Sequence, residues 1–127
     1  MQITQCLHTA ILVRDLDASE HFYGTVLGLS KVNRVLKFPG IWYEIGNYQI
    51  HLIVAANVDN SPINSPVNIQ INSEKLGRNA HIAFAVEDLE AAKQQLINYN
   101  YPIQSSASGR CALFTQDPDG NVIELSQ

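Results

Sequence analysis

Charge is scarce in this chain. Only 16% of its 127 residues are Asp, Glu, Lys or Arg, and eight basic residues against twelve acidic ones leave a formal net charge of −4. Without a basic run or patch, nucleic acid is not expected as a partner. Long apolar runs are lacking too. Hydrophobic residues make up 46% of the chain, yet nowhere do about 18 of them follow one another, so no membrane span is expected. Two cysteines, Cys6 and Cys111, are too few for a disulfide scaffold and suit a reducing, cytoplasmic setting. Cys6 is expected to act as a small buried hydrophobe. The opening MQITQCLH lacks the basic and apolar regions of a secretory signal, so export is not expected. The length fits a single domain covering 1–127.

What the chain has in place of these is a repetition. His8–Ala18 reads HTAILVRDLDA, and His81–Ala91 reads HIAFAVEDLEA. His, Ala, Val, Asp, Leu and Ala keep their places at an offset of 73 residues. The same offset carries Ile50-His51-Leu52 onto Ile123-Glu124-Leu125, and the turn pair Gly46-Asn47 onto Asp119-Gly120. A period this long exceeds that of solenoid repeats and marks two related half-domain modules.

Each module has the same pattern. An alternating apolar strand opens it, over about 4–14 and again at HIAFAV. A capped helix follows. In the first module Asp15 and Asp17 both offer N-caps, Asp17 and Glu20 being spaced like a capping box, and Gly28 offers a stop; in the second the cap is Asp88. Three short strands complete each module: LSKVNRVLKF, GIWYEI and YQIHLIV in the first, IQSSA, RCALFTQ and NVIELS in the second. The fold class is therefore α+β, two βαβββ modules at about 4–55 and about 79–127. The intervening segment, about 56–78, is rich in Asn, Ser and Pro and reads as a solvated linker. Its alternation of Val67, Ile69 and Ile71 with polar residues also suits an edge strand or lid.

Side chains alternate across a strand. His8 shares a face with Ala10 and Leu12, and His81 with Ala83 and Ala85, while the bulky apolar residues face the other way. That sidedness suits a concave sheet with space on the histidine face. A pseudo-twofold between modules would bring His8 to His81 and His51 to Glu124. Three imidazoles and one carboxylate are a donor set for Zn, Fe, Ni, Co or Mn. His21 has no repeated counterpart and is expected on a helix surface, outside the ligand set. Trp42 is expected in core packing, with an aromatic wall for a ligand as the alternative. Arg14, Arg34, Arg78 and Arg110 are candidates for an anionic substrate, against a reading as solvated surface charge.

On HTAILVRDLDASEHFYGTVLGL, QIHLI, NAHIAFAVEDLEAA and DPDGNVIELSQ, the chain resembles the vicinal oxygen chelate superfamily, which includes glyoxalase I, extradiol dioxygenases and bleomycin-resistance proteins. The resemblance covers essentially the whole chain. It implies paired βαβββ modules forming an open, barrel-like sheet around a divalent metal ion held by His8, His51, His81 and Glu124. It also implies a small-molecule substrate and a homodimer. Two departures are visible. The second ligand position of the glyoxalase I enzymes that the first motif most resembles carries Glu, where this chain has His51. Their arginine four residues after the first ligand is Leu12 here, which puts glutathione recognition in doubt.

The activity expected from the resemblance is that of a metal-dependent lyase or isomerase acting on a small oxygen-chelating substrate. Glu124 would be both ligand and base, and His51 a ligand or acid–base group. Two alternatives stand beside it. An extradiol-type Fe(II) dioxygenase would use His8, His81 and Glu124 as its facial ligands. A non-enzymatic sequestering protein of the bleomycin-resistance type would bind a small molecule without turnover.

Overall fold

The computed structural model describes residues 1–55 and 71–127. The edge-strand or lid reading of the central segment falls mostly on residues outside these. The chain divides into two units, Met1–Val67 and Asn68–Gln127, each built on one four-stranded mixed sheet.

In the first unit, β1 (His8–Val13) runs parallel to β4 (Tyr48–Val54), which pairs antiparallel with β3 (Gly40–Ile45); β2 (Ser30–Lys31) borders β3. The sheet order is β1-β4-β3-β2. The β3–β4 hairpin turns on two residues, and Gly46 has φ +57, as the first position of a two-residue type II′ turn requires. At Gly40 an added Cβ would lie 2.5 Å from the Leu52 carbonyl oxygen, so only glycine lets β3 start that close to β4.

Between β1 and β2 lies the helix α1 (Leu16–Glu20), continued by a π-helical turn, His21–Val26, in which the Leu27 N–H reaches back to the Phe22 carbonyl at 2.8 Å. The wider turn buries Phe22, Tyr23 and Val26 together. They pack with Ile11 and Val13 of β1, Ile41 and Tyr43 of β3, and Ile50 and Leu52 of β4 to form the core. Each such side chain contributes roughly 1.5–3 kcal/mol by leaving water. The helix is capped by Asp15, whose carboxylate accepts from the Ala18 N–H at 3.1 Å. Asp17, the other cap candidate, sits in the first turn, where its charge favours the helix dipole.

The second unit repeats the arrangement. Its strands are β5 (His81–Ala85), β6 (Gln104–Ser105), β7 (Ala112–Gln116) and β8 (Val122–Ser126), in the order β5-β8-β7-β6, with β5 parallel to β8. The helix α2 (Leu89–Asn98) is capped by Asp88, which accepts from the Ala91 N–H at 2.9 Å. Asp15 and Asp88 are themselves 73 residues apart. Ile123, Leu125, Leu113 and Leu96 are buried on the helix side. Within the segment read as linker, a short 3₁₀ turn at Leu76–Arg78 buries Leu76 against Phe114 and Val122, with Ile71 beside them.

The parallel pairings follow the repeat without slippage. Ala10 lies opposite His51, and Ala83 opposite Glu124. The hairpins do not. His51 faces Trp42, while Glu124 faces Phe114, an offset of 72 rather than 73. The β7–β8 loop runs over five residues, 117–121, in place of the two-residue turn, and loop length sets hairpin register. That longer loop is organised by the buried Asp117 carboxylate, which accepts from the Asp119 and Asn121 backbone N–H groups at 2.9 Å each and from the Asn121 side-chain amide at 2.8 Å. Both cysteines are free and exposed, so Cys6 is not the buried hydrophobe expected. The residues preceding β1 are exposed as a group and offer it no core to enter.

Candidate metal centre

The candidate ligands fall on the sheet faces opposite the helices, as strand alternation demands. His8, Ala10 and Leu12 are exposed on β1 while Ile11 and Val13 are buried. His81, Ala83 and Ala85 are likewise the exposed set on β5. Each unit brings its own two candidates together.

In the first unit, the His8 and His51 rings stack with centroids 4.2 Å apart and planes 14° from parallel. Trp42 stacks on His51 as well, at 3.6 Å and 7°. Because a ring has only two faces, His51 is held between a strand β1 neighbour and a strand β3 neighbour. The Arg34 guanidinium lies 4.3 Å from the Trp42 ring centroid, within cation–π range. The expected core packing of Trp42 is thus replaced by packing on a candidate ligand, on the same face. Its indole Nε1 is buried with no hydrogen-bond partner among the described residues.

Burial pushes the His51 imidazole's pKa below its usual value, and His8 and Arg34 act in the same direction. This favours the neutral ring, the form that ligates a metal. His51 Nε2 lies 2.8 Å from the Gln49 side-chain oxygen. Gln49 shares the His51 face by strand alternation, a signal legible in the sequence.

In the second unit, His81 Nδ1 is 2.7 Å from the Asn79 carbonyl oxygen, and its Nε2 is 3.1 Å from Glu124 Oε2. A carbonyl only accepts, so Nδ1 carries the proton. A neutral His81 would then aim the Nε2 lone pair at a carboxylate, which is repulsive. The pair is favourable only with a second proton on the ring or with a cation between the two groups. A backbone carbonyl on Nδ1 that leaves Nε2 for the ion is the usual outer support of a metal-bound histidine. Two donors each about 2.0–2.2 Å from one ion would stand close to this 3.1 Å separation. The residues present therefore fit a divalent cation of the Zn, Fe, Ni, Co or Mn class.

Glu124 is buried, its side chain only 6% exposed, and its other oxygen, Oε1, is 3.2 Å from Arg110 Nη1. Arg110 was one of four candidate anion binders; here it holds a carboxylate of the site and leaves the other oxygen to His81. Phe114 meets the His81 ring edge-on, 5.5 Å between centroids. Thr115 lies 73 residues after Trp42, yet the one-residue slip in the second hairpin makes Phe114 the aromatic partner. His21 lies exposed in the π-helical turn, away from both pairs in sequence and on another element. Among the described residues, neither unit by itself carries three or more His, Cys, Asp or Glu grouped to hold a metal ion.

With this geometry in view, the chain belongs to the Glyoxalase/Bleomycin resistance protein/Dioxygenase superfamily, whose family model matches residues 5–125. It is 29% identical to "Glyoxylase I 4" of Arabidopsis thaliana over 98% of this chain and 71% of that protein. It is 26% identical to the mitochondrial methylmalonyl-CoA epimerase of Homo sapiens, over 94% of this chain and 72% of that one. Two solved structures share the fold. A glyoxalase/dioxygenase from Nostoc punctiforme has a TM-score of 0.74 at 23% identity, over 95% of this chain and 88% of that one. Lactoylglutathione lyase from Agrobacterium tumefaciens has a TM-score of 0.69 at 21% identity, over 98% and 94%. Among the described residues no helix is long and apolar enough to cross a membrane.

Proposed function

We propose that the chain is a divalent-metal-dependent lyase or isomerase whose ion is held by His8, His51, His81 and Glu124 and whose substrate is a small molecule with chelating oxygens. The observation that carries this is the His81–Glu124 pair, with Nδ1 committed to the Asn79 carbonyl and Nε2 turned toward the carboxylate. The relatives named glyoxalase and epimerase support it, as does the resemblance of the whole chain to their superfamily.

A bound ion supplies Lewis-acid polarisation of substrate oxygens, worth several kcal/mol of charge stabilisation. The remaining work belongs to side chains. In this reading Glu124 would be ligand and base, taking up a carbon-bound proton, while Arg110 on its Oε1 leaves the other oxygen toward His81. His51, whose neutral form is favoured by burial and then by His8 and Arg34, is in this reading a ligand or an acid–base group. The exposed alanines beside the histidines, Ala10, Ala83 and Ala85, leave room for substrate on each sheet face. We place this activity in the cytoplasm, which the two unpaired cysteines suit, and in a homodimer, as the resemblance implies.

The test is exchange of a carbon-bound proton with deuterated water in a panel of small α-hydroxycarbonyl compounds and acyl thioesters. Exchange that requires added metal and disappears in Glu124→Gln supports the reading. Oxygen consumption with a catechol in place of exchange would assign the Fe(II) dioxygenase instead. Metal-independent binding without turnover would assign the sequestering protein.

A further inference from the structure

The second unit has an open cleft of about 530 Å³ whose lining includes Arg110, the ion-pair partner of Glu124; its size is in the range that holds a small-molecule ligand. Its wall includes three of the chain's eight basic residues: Lys75, Arg78 and Arg110. Against them stands one lining carboxylate, Glu74. In a chain of net charge −4, this is a local excess of positive charge gathered in one cleft that opens to solvent. Neither Lys75 nor Arg78 has an ion-pair partner among the described residues.

The same cleft is lined by hydroxyls. Ser106 Oγ and Ser108 Oγ lie 2.9 Å apart, and Arg110 Nε donates to Ser108 Oγ at 3.2 Å. Arg110 has five N–H donors in a rigid fork. Its contacts to Ser108 and Glu124 leave others for a ligand.

The walls are pinned in place. Gln104 accepts from the Leu76 N–H at 2.7 Å and donates to the Glu74 carbonyl at 3.1 Å. Gly77 sits so close to Phe114 that an added Cβ would lie 2.7 Å from its ring, which fixes the turn carrying Lys75 and Arg78 against the strand that faces Glu124. A cavity held by such contacts is formed before a ligand arrives, and a preformed site loses little affinity to ordering.

We infer that this cavity is an anion subsite, taking a carboxylate or phosphate group on the part of the substrate that does not chelate the metal. Lys75 and Arg78 are its charge donors, Ser106 and Ser108 its hydrogen-bonding wall, and Arg110 the link between the bound anion and Glu124. The inference rests on the proposed function for its place beside the metal but not for its chemistry, which needs only these residues.

Inorganic phosphate and, separately, malonate are titrated calorimetrically into the full chain, treated with chelating resin, at matched ionic strength. The same is done with Lys75→Ala/Arg78→Ala, its fold checked by circular dichroism, and with Arg78→Lys should the double variant not fold. Metal is titrated in parallel on every variant, read by the emission of Trp42. Binding of either anion by the wild type, weakened at least tenfold in the double variant or severalfold in Arg78→Lys with metal affinity unchanged, supports the subsite. The tighter of the two anions identifies the terminal group. No binding of either anion at millimolar concentration, or equal binding by wild type and variants, overturns it. If the wild type takes up anion but no metal, the metal reading fails and the subsite stands.

Discussion

His81 and Glu124 face one another across 3.1 Å from adjacent parallel strands, and His81 Nδ1–H donates to the Asn79 backbone carbonyl. The arrangement is favourable with a second proton on the ring or with a cation between Nε2 and the carboxylate, and the proposed function takes the cation. On the proposed function, removing either partner should remove the ion. His81→Ala and Glu124→Ala are expected to weaken metal binding by at least about 100-fold, the upper end of what loss of an outer-shell partner alone costs. His21→Ala should leave it unchanged. Isothermal calorimetry on the three variants checks this, and equal affinities would contradict the ligand assignment.

Arg110 shields a buried carboxylate from one side only, and its own side chain is 60% exposed. Solvent screening therefore limits the energy of the pair. Arg110→Ala is expected to lower stability by about 1 kcal/mol, short of the ~3–5 kcal/mol for breaking a fully buried pair. Urea unfolding measures it. A loss above that range would mean that Glu124 depends on Arg110 alone.

Tyr43 gives a pH prediction away from the metal. Its hydroxyl is buried with no partner among the described residues, and burial, with Glu20 adding, pushes its pKa from 10.0 up to about 12. The folded state thus holds the phenol proton more tightly than the unfolded chain does. Its contribution is complete below pH 10 and is lost as pH rises from there toward about 12. Tyr43→Phe should fold with nearly unchanged stability at pH 7 and lose less stability than the wild type between these values. Parallel alkaline slopes in denaturant titrations would contradict it.

Gly40 is constrained by backbone rather than by a side chain that can move away. The Leu52 carbonyl would stand 2.5 Å from an added Cβ. Gly40→Ala is expected to cost about 1–3 kcal/mol, the range for overpacked sites. Thermal melting reads it, and an unchanged midpoint would show that β3 shifts freely.

Much of this organisation is legible in the sequence because the repeat is carried by residues with fixed physical duties. Asp15 and Asp88 cap helices, Gly46 turns a hairpin, and His8 and His81 begin strands whose alternating neighbours are small. GIWYEI and YQIHLIV are strands end to end, as their composition implies. What was not legible depends on lengths and tertiary contacts. The five-residue loop at 117–121 slips β7 by one residue, so the partner of Glu124 is Phe114 and not Thr115. A one-residue slip exchanges the faces of a whole strand, and no offset taken from β4 and β8 reveals it. The π-helical turn at His21–Val26 comes from burying three large side chains at once, a tertiary demand absent from local spacing. Arg110 looked like surface charge because its carboxylate partner is fourteen residues away, in the middle of strand β8.

Trp42 is the chain's single tryptophan and stacks at 3.6 Å on a candidate ligand, so its emission reports on His51. His51→Leu is expected to change the emission intensity of the metal-free protein and to abolish the change that metal produces in the wild type. A retained metal response would place the ion away from His51.

The most direct test of the central claim is the metal content of the full chain, purified without an affinity tag, by inductively coupled plasma mass spectrometry before and after reconstitution. The account predicts close to one divalent ion per His8–His51–His81–Glu124 set, with the same stoichiometry in His21→Ala and little metal in Glu124→Ala. Wild-type protein that takes up no ion even after reconstitution would contradict it.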